Sequence, residues 1–181
     1  MSYNIHKHSH IFAAWAASRA ASTSKVCRFK VKQGRELLES VGLSDSDLQT
    51  PVELPNPDEV DTQHQSWRKQ MVAKATKDGL ATFTHGIAAK LINVYLKSRF
   101  VCGGFSNRQK VRCLHPPIDS VLLKNLVRKD VGGQSSIWSN AQKKGWSNFD
   151  SNDYQRVIDA LRQASTGKPL WHAEEYWDGN Q

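Results

Sequence analysis

Apolar side chains recur along this chain with the period of a helix, and nowhere with the alternation of a strand. Phe12, Trp15 and Ala16, with Arg19 a turn further on, sit at helical spacing in an alanine-rich run, and alanine is the strongest helix former. Leu37, Leu38 and Val41 share one side of a second predicted helix over residues 30–41, which Gly42 stops. Residues 50–58 carry three prolines, which makes them an extended connector. A third helix is expected over residues 60–77, ending at Asp78-Gly79. In the fourth, capped by Thr82 or Thr84, Ile87, Leu91, Val94 and Tyr95 form the apolar stripe, and Lys90, Asn93 and Lys97 share another face.

Gly103-Gly104 is read as the end of that helix, and residues 105–113 as a basic, irregular arm. His115-Pro116-Pro117 forces an extended approach to a fifth helix over residues 120–128. After the break at Gly132-Gly133 come a short helix bearing Trp138 and a last long one, capped by Asp150 or Ser151, that aligns Tyr154, Val157, Ile158 and Leu161. The tail LWHAEEYW is apolar enough to pack back onto the body. The pattern predicts an all-α domain spanning residues 1–181, with a flexible start over residues 1–10 that holds His6, His8 and His10.

Composition narrows the function. With 39% hydrophobic residues, including six Trp and six Phe, the chain has material for a packed core. No apolar run approaches the roughly 18 residues of a membrane span. The short IFAAWAAS segment lacks the pattern of a cleaved leader, so a cytoplasmic protein with no membrane partner is expected. Cys27, Cys102 and Cys113 are odd in number and lack CxxC spacing. They are read as reduced thiols, with no disulfide framework, zinc site or iron–sulfur cluster, and no metal or cofactor is expected.

Charge points to an anionic partner. Lys and Arg number 25 against 17 acids, a formal net charge of +8, and such a surplus attracts phosphate backbones without specifying sequence. Residues 90–129 hold nine Lys or Arg and one acid, Asp119. From this stretch Lys97, Arg108, Lys110, Arg112, His115 and Lys124 are the expected nucleic-acid contacts. The plainer alternative is a solvated basic face.

Asp119 and Lys90 carry the candidate chemistry. A carboxylate just before a helix caps its N–H groups, and the same fixed, ionised group can offset positive charge on a sugar or orient an attacking water or amine. An amine becomes nucleophilic when desolvation or nearby cations lower its pKa, and Lys90 lies on a helix otherwise lined by Ile87, Leu91 and Val94. Lys97 is the alternative nucleophile. A base taken out of the duplex stacks on aromatic groups, and Trp138 and Trp146, with Asn93, are the candidates for its pocket.

The runs HGIAAKLINVYL (85–96) and IDSVLL (118–123) resemble the core of the helix-hairpin-helix DNA glycosylases, where a glycine-bearing hairpin leads into a lysine helix and an aspartate precedes a later one. The resemblance implies an all-α, two-lobed fold, base flipping, Lys90 as the amine that attacks the sugar and Asp119 as the assisting carboxylate. Of the family's glycine-rich hairpin only Gly86 is present, residues 105–113 look like an insertion, and the cluster cysteines of some members are missing. The function expected on this basis is a monomeric, metal-independent DNA glycosylase. Its target would be an oxidised or alkylated base, or a hypermodified base of phage DNA in a defence role. A non-catalytic nucleic-acid-binding module and a helical protein-interaction domain are the alternatives.

Overall fold

The computed structural model describes residues 3–179, and every regular element among them is helical. Helices α1 (Ile5–Ala21), α2 (Val31–Glu39) and α3 (Val60–Lys77) surround α4 (His85–Leu96). The short α5 (Gln109–Arg112) then precedes α6 (Ser120–Arg128), α7 (Ser135–Lys144) and α8 (Ser151–Ala164). Tight 3-10 turns occupy Pro51–Glu53, Val131–Gly133 and Trp146–Asn148, and a longer one covers Leu170–Tyr176. One contiguous cluster of buried apolar side chains runs from Ala13 to Ala173.

Helix α4 is the centre of this arrangement. Ten of its 12 residues are buried, as expected of a helix that is apolar nearly all round. It packs against α1, α3 and α8 and against the Trp146–Asn148 turn. α1 packs on it, and Ala13, Ala14, Ala17 and Ala21 of α1 are fully buried, while Phe12 and Trp15 are 58% and 50% exposed. The helical period of this segment is as expected, but its large residues face outward. Alanine lets two helix axes approach closely, and an indole in that seam would hold them apart.

Residues 5–10, expected to be a flexible start, lie in the first turns of α1. Asn4 Oδ1 accepts the N–H groups of His6 and Lys7 and caps α1. His10 is buried, with Nδ1 2.8 Å from the Tyr95 hydroxyl and Nε2 3.1 Å from Glu39. Met1 and Ser2 lie outside the described residues. The proline-rich connector forms one 3-10 turn, capped by Thr50. The helical stretch ends at the Gly103-Gly104 pair, as expected, but it changes type on the way: past Leu96 the chain continues in a π-helical stretch, Lys97–Phe105, interrupted by Gly104 at φ +89°. Within the supposedly irregular arm, α5 buries Val111.

The start of α4 is fixed by a close approach. Thr84 Oγ1 accepts the Ile87 N–H (3.2 Å) and donates to the Ser147 carbonyl (2.8 Å). Gly86 N–H donates to the Phe149 carbonyl at 3.1 Å. Helix N-termini leave such N–H groups without partners inside the helix, and here the 146–149 segment supplies acceptors. A Cβ on Gly86 would lie 1.8 Å from the Trp146 carbonyl oxygen, so only glycine lets the two backbones touch.

Helix propensity alone favours Gly86→Ala, whereas the clash predicts a loss of about 1–3 kcal/mol. Urea denaturation decides the sign. A variant as stable as the parent would show that this contact does not hold the segment in place.

Candidate active site at the start of helix α6

Docking of the 146–149 segment brings the Trp146 ring to 4.4 Å from Lys90 Nζ. Lys90 sits one turn beyond Gly86 on α4 and is only 8% exposed. Its Nζ is 3.4 Å from Asp119 Oδ2, an ion-pair contact longer than a tight hydrogen bond. Burial pulls the Lys90 pKa below the ordinary lysine value, and the neighbouring carboxylate opposes that shift.

Asp119 is held from three sides. Its backbone is extended at the N-cap of α6, and Oδ1 accepts the Leu122 N–H at 2.9 Å. Oδ2 faces Lys90 and also accepts the Trp177 indole N–H at 3.1 Å. Upstream, the extended 115–118 segment is pinned to α4, because Asn93 Nδ2 donates to the Pro116 carbonyl at 2.9 Å. Beyond Trp146, a cleft of about 500 Å3 opens between α6 and α7, lined by Ser120, Lys124, Asn125, Arg128 and Gln142. Asp178 also lines it and pairs with Arg128, and Asn125 is engaged by the tail, so the Gln142 amide and the Lys124 ammonium are the groups it offers a ligand.

The other expected site residues divide sharply. Lys124 and Arg108 are exposed, and Lys124 lines the cleft. Lys97 is paired with Glu174, whose pKa burial raises against the pull of that lysine. Lys110 donates to the carbonyls of Val52 (2.8 Å) and Leu54 (2.6 Å), so it fastens the connector to α5. Arg112 reaches the Gly167 carbonyl at 3.5 Å. Three assignments need correction. Trp138 is fully buried with its indole donating to the Val131 carbonyl (2.9 Å), so it is core and has no face for a base. His115 is buried on Asp61 and Tyr154, out of reach of a phosphate. Asn93 is buried with its amide fully engaged, which excludes it from a base pocket. Sequence reasoning left out Glu174, Asn125, Arg128 and Gln142. Trp177 was read only as part of the apolar tail, whose acids were the signal that it meets the basic helices.

Asn93 and His115 belong to a buried polar chain between α3, α4 and α8. Asn93 Nδ2 donates to the Tyr154 hydroxyl (2.9 Å), which lies 3.0 Å from His115 Nδ1, and His115 Nε2 is 2.8 Å from Asp61 Oδ1. His64 Nε2 is 2.8 Å from Asn93 Oδ1, and the His64 ring stacks on Tyr154 with centroids 5.2 Å apart. Arg68 lies over the Tyr154 ring at 4.2 Å. These partners fit neutral imidazoles: His115 Nδ1 accepts from the tyrosine, and Nε2–H donates to Asp61. Burial pushes His64 well below the ordinary histidine value, helped by His115 and Arg68, and burial lowers His115 despite Asp61. The His115 hydrogen bond, then Arg162, hold Asp61 well below the usual carboxylate range.

No protein-family model, curated protein or solved structure matches the chain. Among the described residues no group of three or more His, Cys, Asp or Glu is placed to hold a metal ion, and no helix is long and apolar enough to cross a membrane.

The histidines set a pH dependence. Burial holds both below their ordinary value of 6.5 in the fold and so favours the neutral imidazoles there, whereas in the unfolded chain they protonate near 6.5. The unfolded state therefore binds more protons as pH falls below about 6.5, and stability drops by about 1.4 kcal/mol per pH unit for each histidine. Asp61 acts in the same direction at lower pH: its stabilisation persists above the unfolded carboxylate pKa and is lost only in stronger acid. Urea denaturation between pH 8 and pH 5 should show a plateau followed by this fall. A flat profile would mean that the imidazoles are not neutral.

Proposed function

We propose that this chain excises a modified base from DNA, with Lys90 and Asp119 as its reacting pair and the cleft between α6 and α7 as the seat of the flipped nucleotide. The observation that carries the reading is the meeting of the two residues, 29 positions apart in sequence, at 3.4 Å beside an aromatic face. The two-lobed helix-hairpin-helix architecture belongs to the same proposal. Trp146 supplies a stacking surface, Gln142 supplies an amide for reading base edges, and Lys124 and Arg128 face the backbone phosphates.

Excision passes through a sugar with cationic character at C1′, which the Asp119 carboxylate stabilises. Burial favours the neutral Lys90 amine that attack requires. The amine forms an Nζ–C1′ bond as the C1′–N bond breaks with its electron pair staying on the base. Solvent protonates the departing base, and the surplus proton of the amine passes to Asp119. Ring opening then leaves a Schiff base. If water is the nucleophile, Asp119 orients it and no covalent adduct forms.

A second reading is favoured by the capping bond from Leu122 N–H to Asp119 Oδ1: the pair only ties α6 to α4. Asp119→Asn separates the two, because Asn is as good a cap as Asp. The excision reading expects a small change in stability and a loss of base release of about a hundredfold or more, measured by mass spectrometry of free bases from a panel of modified duplexes. Release equal to the parent would leave Asp119 as a cap alone.

Borohydride trapping tests the nucleophile. A covalent protein–DNA adduct that disappears in Lys90→Ala assigns the amine. An adduct that survives Lys90→Ala and vanishes in Lys97→Ala would move the chemistry to Lys97, and base release without any adduct would assign water.

A further inference from the structure

Residues 170–178 lie across the face that the proposed reaction needs open. Glu174 pairs with Lys97, and the Trp177 indole occupies the oxygen of Asp119 that also faces Lys90. Asn125 Nδ2 donates to the Tyr176 carbonyl (2.9 Å) and to Asp178 Oδ1 (2.6 Å). Arg128 reaches Asp178 Oδ2 at 3.5 Å, and Lys129 Nζ lies 5.3 Å from the Tyr176 ring centroid. Only Leu170 and Ala173 of Leu170–Tyr176 are buried. Tyr176 also packs against the core, so the apolar anchors are Leu170, Ala173 and Tyr176, and the exposed end at Trp177 and Asp178 is held by polar contacts alone. Exposed ion pairs such as Arg128–Asp178 contribute little and are screened by salt, so local opening is inexpensive.

Each of those contacts uses a group suited to a phosphodiester or to the reaction. The acids Glu174 and Asp178 stand against Lys97 and Arg128, where backbone phosphates would otherwise stand. Asp119 Oδ2, with two donors already on it, has little room for a sugar or a water. We propose that residues 170–178 form a displaceable strap that occupies the basic track beside Lys90 and Asp119 in the free protein and is released by a nucleic-acid backbone. The proposal rests on the DNA-binding part of the reading above, not on its chemistry. The strap acts as an internal competitor: it keeps the pair closed until a polyanion takes over its cationic partners.

The test uses the full chain and a fluorescein-labelled duplex DNA. Glu174→Gln combined with Asp178→Asn removes the competing charges. Asp58→Asn combined with Glu59→Gln removes the same charge at the end of the connector, and Trp177→Phe removes the indole N–H while keeping an aromatic ring and the net charge. Relative to the connector control, the strap variant should bind about fivefold more tightly or better. Trp177→Phe should also bind more tightly than the parent with no change in charge. In the parent, hydrogen exchange of the amides of residues 170–178 should accelerate when the duplex is added. Strap amides equally or better protected in the complex, or a strap variant that binds no better than the control, would overturn the proposal. Absence of DNA binding in every variant would overturn both this proposal and the DNA reading. Strap release without base release from any modified duplex would uphold the strap and sink the excision chemistry.

Discussion

The contact of two backbones at Gly86 is the constraint from which the site geometry follows. Because no Cβ intervenes, the 146–149 segment supplies acceptors to the first turn of α4 and comes to rest against it. One turn along, that same docking puts Trp146 against the ammonium of Lys90. A polar network on the other side of α4 completes the frame. Asn93 ties α4 to the Pro116 carbonyl, and the extended Pro-Pro segment delivers Asp119 to its cap position facing Lys90. The lysine and the carboxylate meet because two loops, one after α7 and one before α6, are each bonded to the same central helix.

This explains why much of the fold was legible in the sequence and why certain parts were not. Helix periods, the Thr84 and Asp119 caps and the proline connector are local, and local chemistry states them in a few adjacent residues. The direction in which α1 turns its large residues is not local. It depends on whether alanines or aromatics fit the seam against α4, and no feature of residues 12–19 reports the partner. The glycine pair was a legible stop, because Gly104 takes the positive φ that closes the stretch, but nothing in residues 97–102 marks the change to a π-helix after Leu96.

The candidate site shows the same division. Lys90 and Asp119 were identified from residue type and helix position, and the fold brings them together. Asn93, His115 and Trp138 have equally suggestive chemistry in the sequence, but each is consumed by the interior. A buried amide, imidazole or indole must find hydrogen-bond partners inside, so polar residues in a helical core imitate site residues until their partners are known. Lys110 and Lys97 show the corresponding limit for charge. Counting cations along residues 90–129 treats every one as free, whereas Lys110 holds two carbonyls and Lys97 an acid.

What remains for an outside anion is a smaller and more localised field than the net charge of +8 implies. Arg128 and Lys124 stand at the cleft between α6 and α7, and the acids of residues 170–178 neutralise part of the surface beside them. Long-range attraction depends on the sum of charges and brings a polyanion to this face regardless. Short-range binding depends on which cations it can win from their present partners. Under the proposal above, the exposed Arg128–Asp178 pair yields to an approaching backbone before the buried Lys90–Asp119 pair does. That ordering follows from burial: screening weakens the exposed contacts and spares the enclosed one.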